Sequence, residues 1–417
     1  MSKIITFGEI MMRLQPEGFK RFFQAEKYEI CFGGGEANVA ASLAGFGADA
    51  AFLTKLPENE LGGACLSDLK KRGIETRFIL RGGERLGLYF CEKGASQRPS
   101  RIIYDRKNSS INEIDADEID AEKLFCGAEW FHFSGITAAL SDRVLNVLKF
   151  LLKEAKKRGV IISCDLNYRK KLWSIARAGE VMAELTGLSD VLISNEEECK
   201  DVFGLTACGA DIKGGVVGAD SYAALSEVVM KKFENLRAAA FTLRGSVSAS
   251  VNRWGGILTV RKGGADGLFG GFEPKENEKF GGGRLKDAGG SELKSVEKTR
   301  GECFGNAGGS ELKNTEPNAY CTSNGYAEYE KLKNAAEFNC FRSKEYTVNI
   351  VDRVGAGDSF TAGLIYSALN KKSPEYAVEF AAAASCLKHT VEGDFNIASV
   401  EEVETLMNGD GSGRVRR

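Results

Sequence analysis

Histidine is nearly absent from this 417-residue chain, which holds only His132 and His389. A multi-histidine metal centre or a Ser-His-Asp triad is therefore disfavoured, and the chemistry falls to carboxylates and backbone groups. No Cys-x-x-Cys spacing occurs. The eleven cysteines, an odd number, are scattered. They read as reduced thiols of a cytoplasmic protein, with Cys164, Cys199 and Cys386 in core strands or helices. Charge of one sign is also missing: the net charge is -2, which leaves no broad footprint for nucleic acid or an anionic membrane. No apolar run is long enough to span a bilayer, and residues 1–8 lack a long apolar signal core and read as a first strand. There is no Gly-x4-Gly-Lys-[Ser/Thr] loop, so a nucleoside triphosphate has to be held by other means. Gly45-Phe46-Gly47-Ala48-Asp49-Ala50 matches a dinucleotide pattern, but it closes a helix and precedes a strand, the reverse of the required order.

What the chain does have is alternation. From Trp130 onward strands and helices follow in turn: 130–134, helix 141–158, 160–165, a helix from Lys170, 191–194 and helix 196–203. This pattern predicts an α/β fold with a doubly wound, mostly parallel sheet flanked by helices. Ligands of such sheets sit beyond the carboxyl ends of the strands. Segments 10–35 and 85–108, rich in aromatics, predict a small β-sheet lid. A hairpin is expected from 249–252 and 256–261.

The most informative stretch is Val348–Gly363, read as a buried strand, a Gly355-Ala356-Gly357 turn and a helix beginning near Asp358. A helix N-terminus gathers free N–H groups at the positive end of the dipole and binds anions. Asp358 beside such a cradle is either an N-cap or a base; cradle and base together point to phosphoryl transfer to a hydroxyl. Gly33-Gly34-Gly35 ahead of a second helix allows close approach by a ligand or simply a corner, and Asn38 one turn later can reach a sugar hydroxyl or the backbone.

The run Asp352-x-Val-Gly-Ala-Gly-Asp358-x-Phe-x-Ala-Gly resembles the C-terminal signature of the PfkB (ribokinase-like) carbohydrate kinases. Gly33-Gly34-x-x-x-Asn38 resembles their sugar-binding element. The resemblance implies that Asp358 is the catalytic base and that the Gly355, Ala356 and Gly357 amides form an anion hole. Within the family, Leu-Tyr89-Phe, Arg-Pro-Ser, Tyr104-Asp-Arg106, Asp165-Leu-Asn167-Tyr-Arg169 with Leu172-Trp173, and Lys388-His-Thr-x-x-Gly-Asp394 are similar to the 2-keto-3-deoxygluconate kinases. This likeness implies a substrate site of Gly33, Gly34, Asn38, Tyr89, Tyr104, Arg106, Arg169 and Asp394, in which the arginines hold a carboxylate through paired hydrogen bonds. It also implies an ATP site of Asn167, Asn195, Thr242, Arg244, Gly245 and Gly357, with Glu198 meeting Mg²⁺ through water. On the residues alone, Tyr89, Tyr104 and Arg106 could decorate an exposed sheet, Glu196 and Glu197 could be an acidic helix start, Arg244 a surface charge, and His389 a packed side chain.

The implied protein is an ATP- and Mg²⁺-dependent kinase of 2-keto-3-deoxygluconate that dimerises through its lid. The rivals are a fructokinase, a 2-keto-3-deoxygalactonate kinase, or a catalytically silent sugar-binding regulator, against which the intact Asp358 argues. The likeness covers 1–262 and 344–407. Between them, residues 263–343 are Gly-rich and carry the repeat 287–294/306–313, so they are expected to be a disordered insertion. A flexible tail is expected over 408–417.

Overall fold

The computed structural model describes residues 4–206, 219–262, 268–270 and 337–409. The chain divides into two units, Met1–Gly271 with Ala335–Arg417 and Phe272–Asn334. The second unit lies outside the described residues, as do the internal repeat and the tail beyond 409. The insertion assigned to 263–343 is too long at its C-terminal end, because Phe338–Arg342 is a strand of the main sheet.

Fourteen strands are described: β1 (Ile4–Phe7), β2 (Met11–Pro16), β3 (Tyr28–Gly33), β4 (Ala50–Leu56), β5 (Ile79–Arg81), β6 (Gly87–Glu92), β7 (Arg101–Asp105), β8 (Trp130–Ser134), β9 (Ile161–Asp165), β10 (Val191–Ser194), β11 (Ala238–Ser246), β12 (Val251–Arg261), β13 (Phe338–Arg342) and β14 (Tyr346–Asn349). Ten form one sheet in the order β13-β12-β11-β10-β9-β8-β1-β4-β5, with β14 also on β12. From β11 to β5 all pairs are parallel. Their strands are apolar on both faces, as flanking helices require: Ile4, Ile5 and Phe7 are fully buried, as are Phe131 and Phe133. Among the described residues no helix is long and apolar enough to cross a membrane, and eight cysteines are free thiols.

Two sequence expectations fail around β12. The hairpin of 249–252 with 256–261 is instead one strand, Val251–Arg261, which changes partner along its length. Residues 251–254 pair with β14 and 257–261 with β13. Gly256 does not turn the chain; a Cβ there would lie 2.4 Å from the Phe360 ring, so glycine lets a helix pack on the strand. The buried strand read from Val348 is the second failure. β14 ends at Asn349, and Val351 is 41% exposed, its N–H bonded to the His389 carbonyl at 2.8 Å.

The second sheet has the order β3-β2-β6-β7. Its registers place Cys31, Arg13, Tyr89 and Tyr104 in one cross-strand row, and Ile30, Leu14, Phe90 and Ile103 in the next. Alternation sends these rows to opposite faces. The first faces the main domain, where Arg13 and Tyr89 are buried; in the second, Ile30 and Ile103 are more than half exposed.

Candidate active site

A cleft of 670 Å³ lies at the carboxyl ends of the central strands, under the inner face of the small sheet. Every predicted site residue lines it except Gly245, which pairs with Arg253 on the β11–β12 ladder.

At its centre is the N-terminus of the helix Ala356–Leu369. Gly355 takes a left-handed φ of 84° at the N-cap, where no side chain caps the helix. Asp358 is therefore not the cap. The N–H groups of the first turn have no partner within the helix, and Gly355, Ala356 and Gly357 line the cleft, an arrangement suited to an anion. Asp358 stands in that turn, and burial pushes its carboxyl up to about 7, against the stabilising hydrogen bond from Asn38 and helped by the charges of Asp165, Glu36 and Asp394. Asn38 Nδ2 donates to Asp358 Oδ2 at 2.7 Å, and the Gly34 N–H donates to Asn38 Oδ1 at 3.3 Å. Asn38 thus orients the carboxylate and ties it to the glycine corner. At Gly33 a Cβ would fall 1.9 Å from Asp394 Oδ2, and at Gly34 1.9 Å from the Glu9 carbonyl. The close approach that these glycines permit is first of all by the chain itself.

On the small-sheet side, Tyr104 and Arg106 reach the cleft from β7 and its end. Arg106 is paired with Glu9, its Nε donating to Glu9 Oε2 at 2.7 Å, and lies 5.4 Å from the Tyr104 ring centre. Glu9 is buried and also accepts from Ser109 Oγ. Nε and Nη2 both donate to Glu9 Oε2, which fixes the guanidinium in orientation at the cleft wall. Asp394 is 2% exposed, and its two oxygens accept from Arg13 (2.8 Å) and the Tyr89 hydroxyl (2.5 Å). Its carboxylate is engaged by these two donors, and Asp394 lines the cleft.

Across the cleft, Asp165 ends β9 and Glu198 sits in the first turn of the helix Glu196–Phe203. Burial raises both carboxyls, and the Arg169 charge partly offsets this. Asn167, with φ of 35°, donates to Asp165 Oδ2 at 3.2 Å. Asn195 is the N-cap of the next helix, its Oδ1 accepting from the Glu198 N–H at 3.0 Å. Thr242, Arg244 and Arg353 complete this wall; partial burial and the charge of Arg353 both lower the Arg244 guanidinium. Two crowded cations beside a helix N-terminus suit a polyphosphate. Two carboxyls held above their usual range suit a nearby cation. No group of three or more His, Cys, Asp and Glu that could hold a metal occurs among the described residues, so direct phosphate oxygens and water would supply the rest of such a shell. His389 is a packed side chain, its Nδ1 2.8 Å from the Ser385 carbonyl and its ring edge-on to Trp254.

Sequence reasoning missed Arg13, Glu9, Arg353 and Glu36. Glu36 is buried and accepts from Ser134 N, Ser134 Oγ and Thr137 Oγ1 at 2.7–2.9 Å. Its signal was available, since a carboxylate within an Ala-rich, core-facing helix start needs donors from elsewhere.

The sequence profile of the pfkB family carbohydrate kinases matches residues 1–232 and 334–399, more than half of the chain. The chain belongs to this family. The crystal structure of 2-dehydro-3-deoxygluconokinase from Thermotoga maritima is 39% identical, with a TM-score of 0.76, over 98% of this chain and 100% of that one. Among curated relatives, the 2-dehydro-3-deoxygalactonokinase of Haloferax volcanii is 35% identical over 204 residues, 49% of this chain and 64% of that protein. The 2-dehydro-3-deoxygluconokinase of Bacillus subtilis is 28% identical over 189 residues, 45% and 58% of the two chains. The matched region spans less than two thirds of these curated relatives. An Escherichia coli protein solved in complex with ATP and Mg²⁺ shares the fold, with a TM-score of 0.64 at 17% identity. The ribokinase-like α/β architecture with a small separate sheet is thus the architecture of this pfkB-family chain.

Proposed function

We propose that the protein transfers the γ-phosphoryl group of ATP to the terminal hydroxyl of 2-keto-3-deoxygluconate (2-dehydro-3-deoxygluconate), giving the 6-phosphate. The observation that carries this reading is that one cleft is lined both by Arg106 and by Asp358, which, pushed up to about 7, stands in the first turn of an uncapped helix. Asp358 accepts the hydroxyl proton as the oxygen bonds to phosphorus and the bond to the departing ADP breaks. The amides of Gly355, Ala356 and Gly357 face charge developing on the phosphoryl oxygens. Arg244 and Arg353 hold the remaining phosphates. Bound near Asp165 and Glu198, Mg²⁺ would supply charge neutralisation for the triphosphate. Arg106, with Arg169 and the two tyrosines, receives the sugar acid's carboxylate and neighbouring polar groups. The free thiols fit a reducing, cytoplasmic setting. The Ile30-Leu14-Phe90-Ile103 row, exposed at Ile30 and Ile103, fits a second copy of the chain docked lid to lid.

An ADP-release assay over 2-keto-3-deoxygluconate, 2-keto-3-deoxygalactonate, fructose and ribose tests the substrate. A keto-acid preference is expected, and faster turnover of fructose than of either acid overturns the reading. In the same assay Arg106→Ala is expected to raise KM for the acid by about 10- to 150-fold, the value of a charged hydrogen bond of about 1.5–3 kcal/mol. KM for ATP should stay near wild type. Glu9→Gln should move KM for the acid in the same direction by less, because it frees Arg106 without removing it.

The profile match leaves out residues 233–333; β11 and β12 within that span belong to the main sheet, which closes beyond them. Arg261 pairs with Phe338, and the Lys262 N–H donates to the Glu337 carbonyl at 2.8 Å. Joining Gly271 to Ala335 through a short Gly-Ser link is therefore expected to leave kcat within about twofold. Shortening a loop tenfold changes closure entropy by only about 2 kcal/mol, and in the favourable direction. A shortened chain that fails to fold would show that residues 272–334 belong to the kinase core.

A further inference from the structure

Arg13 lies on β2, on the inner face of the small sheet, and its side chain is 0% exposed. One end of its guanidinium pairs with Asp394 Oδ1 at 2.8 Å, the other with Asp352 Oδ2 at 2.7 Å. These carboxylates belong to two loops that meet at the anion cradle. Asp352 Oδ1 accepts from the Val354 N–H at 3.1 Å, and its Oδ2 from the Gly393 N–H at 3.3 Å, which shapes the turn running into Gly355. Asp394 in turn accepts the hydroxyl of Tyr89, the residue beside Arg13 on β6. With its one proton committed, Tyr89 can only accept from a ligand. It therefore reads a donor such as a sugar hydroxyl, leaving the carboxylate to Arg106.

Burial of two ion pairs is a poor route to stability, because desolvation consumes most of the attraction. Fixing geometry is what such a bidentate arrangement does well. Building on the kinase reading above, we propose that Arg13 is a positioning residue that holds the Tyr89 hydroxyl acceptor and the phosphoryl-binding turn in one geometry. It touches neither reacting atom. It acts through Asp394 on the sugar side and through Asp352 on the phosphate side.

A double-mutant cycle tests this with whichever carbohydrate the wild-type protein phosphorylates in the panel above. A wrong substrate assignment then shows in the wild type, and a wrong role for Arg13 shows only in the cycle. Arg13→Met is expected to raise KM for the carbohydrate and lower kcat, each by about tenfold, with KM for ATP within about threefold. Tyr89→Phe should raise the carbohydrate KM about tenfold in the wild type and less than about twofold in the Arg13→Met background, a coupling of the size found between residues of one network. Arg13→Lys, which keeps charge but loses the fork, should recover less than half of kcat. If Arg13→Met does not fold, Asp394→Asn replaces it in the cycle. That variant leaves the Asp352 branch intact, so the Tyr89→Phe effect on the carbohydrate KM should again fall below about twofold. Additive effects in the cycle, or folded Arg13 variants that lose only thermal stability at wild-type kcat and KM, overturn the proposal.

Discussion

Asp358→Asn is expected to lower kcat by about 10²–10⁴-fold, the contribution of a positioned general base, with KM for ATP and for the sugar acid near wild type. The substitution keeps the shape of the first helical turn and its N–H groups, and Asn38 retains an oxygen to donate to. What it removes is the proton acceptor. A variant that keeps more than half of wild-type kcat would exclude Asp358 as the base. The pH dependence follows from the carboxyl being pushed up to about 7, chiefly by burial. The base must be ionised, so kcat/KM for the sugar should rise with pH and level off above about 7. The stability effect has the opposite sense. A carboxyl whose folded value lies above its unfolded one binds a proton more tightly when folded. Its contribution is present below the ordinary carboxylate range of about 4 and is lost as pH rises through about 7. Asp358→Asn should therefore raise Tm relative to wild type at pH 8 and leave it little changed at pH 4. Calorimetry at the two pH values, alongside the kinetic profile, checks both signs on one group.

The elements legible in the sequence were those set by local signals. Val191–Ser194 and Glu196–Phe203 fall where the sequence places them, because a short apolar strand ends at an Asn that caps the next helix. The Gly355-Ala356-Gly357 turn ahead of a helix is observed too, with the helix starting at Ala356, two residues before the position read from the sequence. What could not be read depends on partners distant in the chain. Period-two alternation puts Arg13 on a definite face of β2 but does not say that Asp394, 381 residues away, waits there. Trp254-Gly255-Gly256 carries the composition of a turn, yet β12 runs straight through it, because strand β14 hands over to β13 and Phe360 fills the space over Gly256. Nor does the sequence show that Arg106 and Asp394, both expected at the substrate, are already engaged by Glu9, Arg13 and Tyr89. In this site a first layer faces the cleft and a second holds it. Sequence motifs name members of both without separating them.

Gly355→Ala is expected to lower kcat by about 10²-fold or more and to reduce Tm as well. Two causes act at one atom. The left-handed φ of 84° costs a side-chain-bearing residue about 1–2 kcal/mol, and the new Cβ would stand 2.0 Å from the Asp394 carbonyl oxygen. That oxygen is backbone, in a loop tied through the Asp394 side chain to Arg13 and Tyr89, so relief has to come from the turn itself. Moving the turn misaims the amides, and loss of one donor to a developing oxyanion costs about 10²–10³-fold. Gly357→Ala is the contrasting case. It lies inside the helix, and no atom beyond its own neighbours and helix backbone stands within 4 Å of its Cβ position, so the variant should fold with a Tm at or slightly above wild type, in line with the ~0.5–1 kcal/mol that Ala gains over Gly in a helix. If the space beside Gly357 is where the phosphoryl group sits, this well-folded variant should nonetheless show a KM for ATP raised about tenfold or a matching loss of kcat. Wild-type kinetics in Gly357→Ala together with wild-type kinetics in Gly355→Ala would remove the cradle from the mechanism. A kinetic loss without a Tm loss at 357, beside a joint loss at 355, is the pattern an anion hole built from this turn requires.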